Sequence, residues 1–174
     1  MNSMLELISI TLILQRLSEL VLARRNEKRA FARGGIEYGA EHYLVIVLLH
    51  VLWFIGFITE SVIVKGAGYE SVGSIWPLWA GMFVSAQVMR YWAIASLGDA
   101  WNTRIIIVPG RSFVRKGPYR FVSHPNYVAV IMEFIAVPML VGSPITAIVG
   151  TALNLALLLL VRIPAENKAL SKLT

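Results

Sequence analysis

YLVIVLLHVLWFIGFITESVIV, Tyr43 to Val64, is apolar almost without interruption, with His50, Thr59, Glu60 and Ser61 as its strongly polar breaks. A helix crossing the hydrocarbon core of a bilayer needs about 20 mainly apolar residues in a row, and this stretch supplies them. Lipid offers the backbone no hydrogen-bonding partner, so only a helix or a strand of a closed barrel can span it. Period-two alternation is absent, and the helix is therefore the reading.

Toward the N-terminus, Met4 to Ala23 forms a similar run interrupted by Gln15, Arg16 and Glu19. A signal peptide carries positive charge before its apolar stretch and small residues after it, whereas here Arg24, Arg25, Lys28, Arg29 and Arg33 follow. The expectation is a retained first helix. Beyond a connection containing Gly66, Gly68 and Gly73 lie a third run, Trp76 to Ser96, and a shorter one, Tyr127 to Val141. The turn Gly142-Ser143-Pro144 leads to a fifth, Ile145 to Val161. The fold expected is all-α: an integral membrane bundle of about five transmembrane helices. Composition agrees, with 57% hydrophobic residues and a mean hydropathy of +0.68, against about 45–50% apolar residues in soluble domains.

No repeat or linker divides residues 1–174, so a single transmembrane domain is expected. The longest polar piece, Leu97 to His124, is too short to bury a core of its own. An active site must then be assembled from helix ends, this loop and the C-terminal tail.

The net charge of +6 would suit a nucleic-acid partner, but its distribution argues otherwise. With the N-terminus outside, the loops after the first and third helices and the tail hold 13 of the 16 basic residues. Lys65 stands alone on the opposite face, and Arg16 and Arg90 lie within helices. Lys and Arg favour cytoplasmic loops, so the orientation is self-consistent and no nucleic acid is expected. Absence of cysteine excludes disulfides and thiolate chemistry. Three His without HExxH or clustered carboxylates make a catalytic metal site improbable.

Chemistry concentrates in Lys116-Gly117-Pro118-Tyr119-Arg120-Phe121-Val122-Ser123-His124-Pro125-Asn126-Tyr127, followed by Glu133. Gly-Pro marks a turn. Ser123 or His124 before Pro125 reads as an N-cap with proline in the first helical turn, an arrangement that turns free N–H groups and a positive dipole end toward the cytoplasmic loop. Glu133 lies two turns further on, at a depth where ionisable residues face a bundle interior or cavity. A purely structural pairing of Glu133 with Arg16 or Arg90 is the bland alternative, and Arg16 with Glu19 reads as a buried structural pair. Arg162 and Glu166, four apart, share a helical face, with Asn154 on the same broad stripe; taken alone, Arg162 is an interfacial anchor. Most of the Trp residues read as an interfacial belt.

Leu97-Gly98-Asp99-Ala100-Trp101, Gly117-Pro118-Tyr119-Arg120, His124-Pro125-Asn126-Tyr127, Glu133, and Arg162 with Glu166 form an ordered set that resembles the isoprenylcysteine carboxyl methyltransferase family across residues 97–170. The resemblance implies a catalytic portion in the C-terminal half that uses S-adenosylmethionine. It places His124, Tyr127 and Glu133 in the cofactor pocket, with Tyr119 and Pro125 of the same motifs, and Arg162 and Glu166 near the transferred methyl. Two departures stand out: Ser123 where the family often has Arg, and Glu166-Asn167 where it often has Glu-Glu.

The acceptor implied is lipid-like, either a prenylated cysteine carboxylate or the phenolic hydroxyl of a long-chain alkylpyrone or alkylresorcinol. A carboxylate arrives ionised and suits bidentate Arg162, while a phenol needs a base, for which Glu166 is the candidate. In a bacterium the protein would sit in the inner membrane with its site toward the cytoplasm. A membrane NADPH-dependent reductase of sterol type and a non-enzymatic carrier or assembly subunit are the competing readings.

Overall fold

The computed structural model describes residues 3–66, 75–112 and 114–171, with the side chains of all but 64–66. Helix α1 (Ser3–Ala32) leads through strand β1 (Ile36–Tyr38) to α2 (Ala40–Gly66). Next, α3 (Trp76–Leu97) is followed by a 3-10 turn, strand β2 (Ile105–Ile107) and a second 3-10 turn over Gly117–Arg120. Then come α4 (Pro125–Val141) and α5 (Pro144–Leu157), the latter running through a π turn, Leu158–Arg162, into α6 (Ile163–Leu170).

The molecule is mostly helical, as the apolar runs require. Ala40–Ile63 and Pro144–Leu170 are each long and apolar enough to cross a membrane, and Pro125–Val141 is a shorter apolar helix. The first helix is longer than its apolar run. Arg, Lys, Glu and Ala are good helix formers, so the basic segment after Ala23 continues α1 by more than two turns instead of forming a loop. It ends at Gly34, where φ is +77° and the Gly35 N–H returns to the Ala30 carbonyl at 2.9 Å. That left-handed step is a conformation glycine adopts without steric cost.

The all-α expectation omitted a two-stranded antiparallel ribbon. It pairs Ile36 with Ile107, Glu37 with Ile106 and Tyr38 with Ile105. Three residues per strand are too few to register as alternation in the sequence. The ribbon ties the segment after α1 to the segment after α3, so both basic regions lie at one end of the helices. At the other end, Glu60 of α2 accepts the Ile145 and Thr146 N–H groups at 2.8 and 2.7 Å. Two orphan donors at the start of α5 are thereby satisfied. The Ser61 hydroxyl donates to the Val141 carbonyl and the Ser143 hydroxyl to the Phe57 carbonyl. Lys65 closes α2 near this end, but its side chain and all of Lys172, Gly68 and Gly73 lie outside the described residues.

Leu5, Ile8 and Leu12 of α1 pack with Trp53 and Phe57 of α2 and with Val130, Phe134 and Val137 of α4. Trp53 departs from the belt reading: it is buried, stacked on Phe134 at 4.5 Å, with its indole N–H on the Phe134 carbonyl. Gly150 of α5 makes room, since a Cβ there would lie 2.7 Å from the indole. Trp76 and Trp92 are exposed. The polarity of the bundle is inverted relative to a soluble protein. Leu7, Ile10, Leu14 and Leu17 of α1 and Ile145, Ile148, Leu159 and Leu160 around α5 are exposed, while Gln15, Glu19, Arg90, Glu133 and Asn154 are buried.

Candidate functional site

A cavity of about 650 Å³ opens among the ribbon end of the helices and the 97–124 loop. Its outer part is lined by the loop, by Tyr119, His124, Asn126 and Tyr127, and by Arg162 and Glu166. Its inner part reaches Arg16 and Glu19 of α1, Ile46 and His50 of α2, Arg90 of α3 and Val130 of α4.

The loop is held down by side chains from α1 and β1. Asn26 donates to the Trp101 and Gly98 carbonyls at 2.8 and 3.1 Å. Arg33 and Arg111 both grip Asp99, at 2.7 and 2.5 Å. These hydrogen bonds, from Arg111 and then Arg33, pull the Asp99 carboxyl down from 3.8 to about 2. Arg104 bonds both oxygens of Glu37 at 3.1 Å and lies over the Tyr43 ring. At Gly117, φ is +58° and a Cβ would collide with Ser96 of α3. The Gly-Pro turn can therefore sit flat on α3 and present Tyr119 to the cavity. Burial, and then the Glu166 carboxylate, push the Tyr119 hydroxyl well above its usual range, so it remains a neutral donor.

His124 caps α4 through its carbonyl, which accepts the Tyr127 N–H at 3.0 Å. The expected side-chain cap is not made at this position, and the ring instead stacks on Tyr127 at 5.2 Å. Pro125 is buried in the first turn of α4. The Tyr127 hydroxyl donates to Glu166 and accepts from Arg162 Nε at 3.1 Å. Arg162 Nη2 donates to the Thr103 carbonyl at 2.8 Å, which anchors the loop to the π turn. His124 Nδ1 lies 3.6 Å from Glu166. Arg162 Nη1, Asn126 Oδ1, Asn154 Nδ2 and, at the inner wall, Arg90 Nε are buried and have no hydrogen-bond partner among the described residues. All four residues line the cavity. Buried polar groups without partners are costly, and their convergence on one cavity marks a place built for a polar ligand.

The chain thus brings His124, Tyr127, Tyr119, Arg162 and Glu166 together, although they come from four elements, the second 3-10 turn, α4 with its cap, the π turn and α6. It sets Glu133 apart. That carboxylate, outside the cavity lining, accepts from Arg16 and Arg90 at 2.5 Å and from Gln87 and Gln15 at 2.9 and 3.3 Å. Arg16 also pairs with Glu19 at 2.9 Å. The structural pairing foreseen for Arg16 and Glu19 is therefore present, enlarged into one cluster with Glu133 and Arg90. Sequence reasoning passed over Asn26 and Thr103, and quoted Asn126 within His124-Pro125-Asn126-Tyr127 without giving it a role. Thr103 acts through its carbonyl, which any residue possesses, and no pattern distinguishes Asn26.

The pattern of the isoprenylcysteine carboxyl methyltransferase (ICMT) family matches residues 79–172, more than half of the chain. The chain belongs to the ICMT family. It is 42% identical over 161 residues to the uncharacterized protein YpbQ of Bacillus subtilis (strain 168), an alignment covering 92% of this chain and 93% of the relative. To an uncharacterized protein of Haemophilus influenzae it is 30% identical over 159 residues, covering 91% and 90%. No solved structure matches the chain. ICMT proteins are membrane methyltransferases, and the matched segment begins in α3 and runs through α6. It therefore contains the loop, the Gly-Pro turn and the Tyr127–Arg162–Glu166 contacts. The inner cavity residues of α1 and α2 lie outside it.

Proposed function

We propose that this protein is an S-adenosylmethionine-dependent methyltransferase, five times membrane-spanning, that O-methylates a hydroxyl or carboxylate on a lipid-like acceptor at its cytoplasmic face. The observation that carries this reading is the buried, unpartnered Nη1 of Arg162 beside Tyr127 and Glu166 in the cavity. A guanidinium held by two of its nitrogens and open at the third is preorganised to receive an oxygen.

The residues present fit the cofactor. The cavity volume lies within the ordinary range for small-molecule sites, about 300–1,000 Å³. His124 and Tyr127 offer stacked rings, Asn126 Oδ1 an acceptor for an ammonium or ribose hydroxyl, and Tyr119 a neutral donor. When bound there, S-adenosylmethionine supplies an electrophilic methyl on a sulfonium. Arg162 then orients the acceptor oxygen, and Glu166 is positioned to take the proton that a hydroxyl acceptor must lose. Pro125 starts the helix that carries Tyr127. Glu133 contributes from one layer behind, by holding Arg16 and Arg90 at the inner cavity wall.

The five-span reading is supported by the exposed apolar faces of α1 and α5, by the ribbon that gathers both basic segments, and by the Glu60 clasp at the opposite end. A lipid-like acceptor is supported by the apolar side chains in the cavity lining, Ile46, Ile105, Val130, Leu157 and Leu158 among them.

The test is calorimetric titration of the purified protein in detergent with S-adenosylhomocysteine and, separately, NADPH, followed by transfer of labelled methyl to lipid acceptors. Binding of the first and labelling of lipid are expected. NADPH binding alone would point to a reductase, and binding of neither to a carrier or assembly subunit.

A further inference from the structure

The methyl-transfer reading leaves His50 without a role, although its ring lines the inner cavity beside Arg16, Glu19 and Arg90. Its Nδ1 lies 2.8 Å from the Ile46 carbonyl. A carbonyl oxygen can only accept, so Nδ1 carries the hydrogen, and Nε2 of the neutral ring is left as a lone pair. No described residue donates to Nε2. The ring cannot turn freely to find a partner, because Phe134 packs edge-on against it at 5.0 Å and 81°. The charged groups acting on it are Arg16, Arg90 and Glu133, and these engage one another: Glu133 takes both guanidinium groups, and Glu19 lies 3.6 Å from Arg90 Nε. The wall around His50 therefore presents two cations balanced by two anions, one open acceptor at His50 Nε2 and one open donor at Arg90 Nε, a pair that a hydroxyl, at once donor and acceptor, can answer.

We propose that His50 is a specificity-determining residue: its Nε2 accepts a hydrogen bond from a hydroxyl of the acceptor lipid other than the one that is methylated. The substrate class is thereby narrowed to lipids with at least two oxygen functions on their head group, one presented to Arg162 and a second, protonated one directed inward. A carboxylate in the inner position would set its own lone pairs against that of Nε2. The cofactor is assigned to the other end because its charged amino-acid part suits the outer cavity, where Asn126 and Tyr119 line the wall near the loop. The inner end has Ile46 and Val130 beside the internally paired charges, and there we place the acceptor. His50 takes no part in the bond changes.

This inference rests on the methyltransferase reading, and its test keeps the two failures apart. The probes are 5-pentadecylresorcinol and 3-pentadecylphenol, which differ by one hydroxyl, with N-acetyl-S-farnesylcysteine as a carboxylate control. Wild type should methylate the resorcinol with a kcat/KM about tenfold higher than the phenol, the usual scale for one buried hydrogen bond left unmade. His50→Leu should abolish that preference by losing activity on the resorcinol alone, with S-adenosylhomocysteine affinity unchanged. His50→Gln, which retains an acceptor near Nε2, should restore it. Should His50→Leu not fold, the wild-type preference and the His50→Gln profile still decide. Equal rates on both phenolic lipids in wild type, methylation of the farnesylcysteine alone, or weakened S-adenosylhomocysteine binding in His50→Leu would each overturn the assignment. Failure to bind S-adenosylhomocysteine at all in wild type would instead remove the methyltransferase reading beneath it.

Discussion

Glu133 and Glu166 are two carboxylates, each engaged with arginine chemistry, and they behave as opposites. Glu133 is fully buried, and four side chains from α1 and α3 donate to it. Glu166 is partly exposed, accepts one hydroxyl and leaves Arg162 beside it with a nitrogen unsatisfied. In the first the carboxylate itself is saturated, although Arg90 Nε and Gln87 Oε1 around it keep no partner among the described residues, and in the second the carboxylate has one donor and a guanidinium nitrogen stands open beside it. Depth in an apolar bundle is therefore a poor guide to chemistry by itself. A buried charge that is fully answered holds helices together, while one with spare hydrogen-bonding capacity is prepared for a ligand.

The largest effect that would break this comparison is expected at Glu133. Glu133→Ala leaves Arg16 and Arg90 in an apolar core with only Glu19 to answer them, and should destabilise the fold by about 3–5 kcal/mol, the scale for breaking a buried ion pair. Thermal unfolding in detergent would show it as a large fall in Tm. A stable Glu133→Ala protein with weakened S-adenosylhomocysteine binding would instead put Glu133 in the cofactor pocket. Arg162→Lys preserves the charge but removes the planar fork that bonds Tyr127 and Thr103. Methyl transfer should drop by tenfold or more, with Tm within a few degrees of wild type; unchanged turnover would reduce Arg162 to an anchor.

A smaller effect is expected where α1 holds the loop. Asn26→Ala removes donors to two backbone carbonyls and should cost about 1–2 kcal/mol, read again as Tm, with a rise in the KM for the acceptor because Gly98 and Trp101 lose their support. The smallest concerns acid. Asp99 is pulled to about 2 in the fold from 3.8, so the stability it contributes is present above about pH 4 and is lost as pH falls toward 2. Asp99→Asn should flatten that part of the acid-unfolding curve by removing the same contribution above about pH 4, a small loss at neutral pH since Arg33 and Arg111 are solvent-screened. An identical acid limb in the variant would show that the grip of the two arginines on Asp99 does not persist in solution.

Much of this was legible in the chain because it depends on local chemistry. Tyr43 to Val64 and Trp76 to Ser96 sit inside α2 and α3 to within a few residues, and Pro125 opens α4, since apolar run length and proline position act over a few residues. The helical continuation of α1 to Ala32 was less visible, because charged residues are as much at home in a solvated helix as in a loop. The ribbon was invisible, as pairing between Ile36–Tyr38 and Ile105–Ile107 is decided by a partner nearly seventy residues away.

At the site the division is similar. The sequence by itself determined a helical membrane protein of the ICMT family and the residue types of its chemistry, His124, Tyr127, Arg162 and Glu166, because hydropathy and short motifs are properties of neighbouring residues. Only the tertiary structure decided which charges are answered and which are open. Glu133 meets Arg16 and Arg90 across three helices, and Arg162 meets Tyr127 and the Thr103 carbonyl across the π turn and the loop. Hydrogen-bond satisfaction is a property of atoms within about 3 Å of one another in space, and nothing in the order of the residues records that distance.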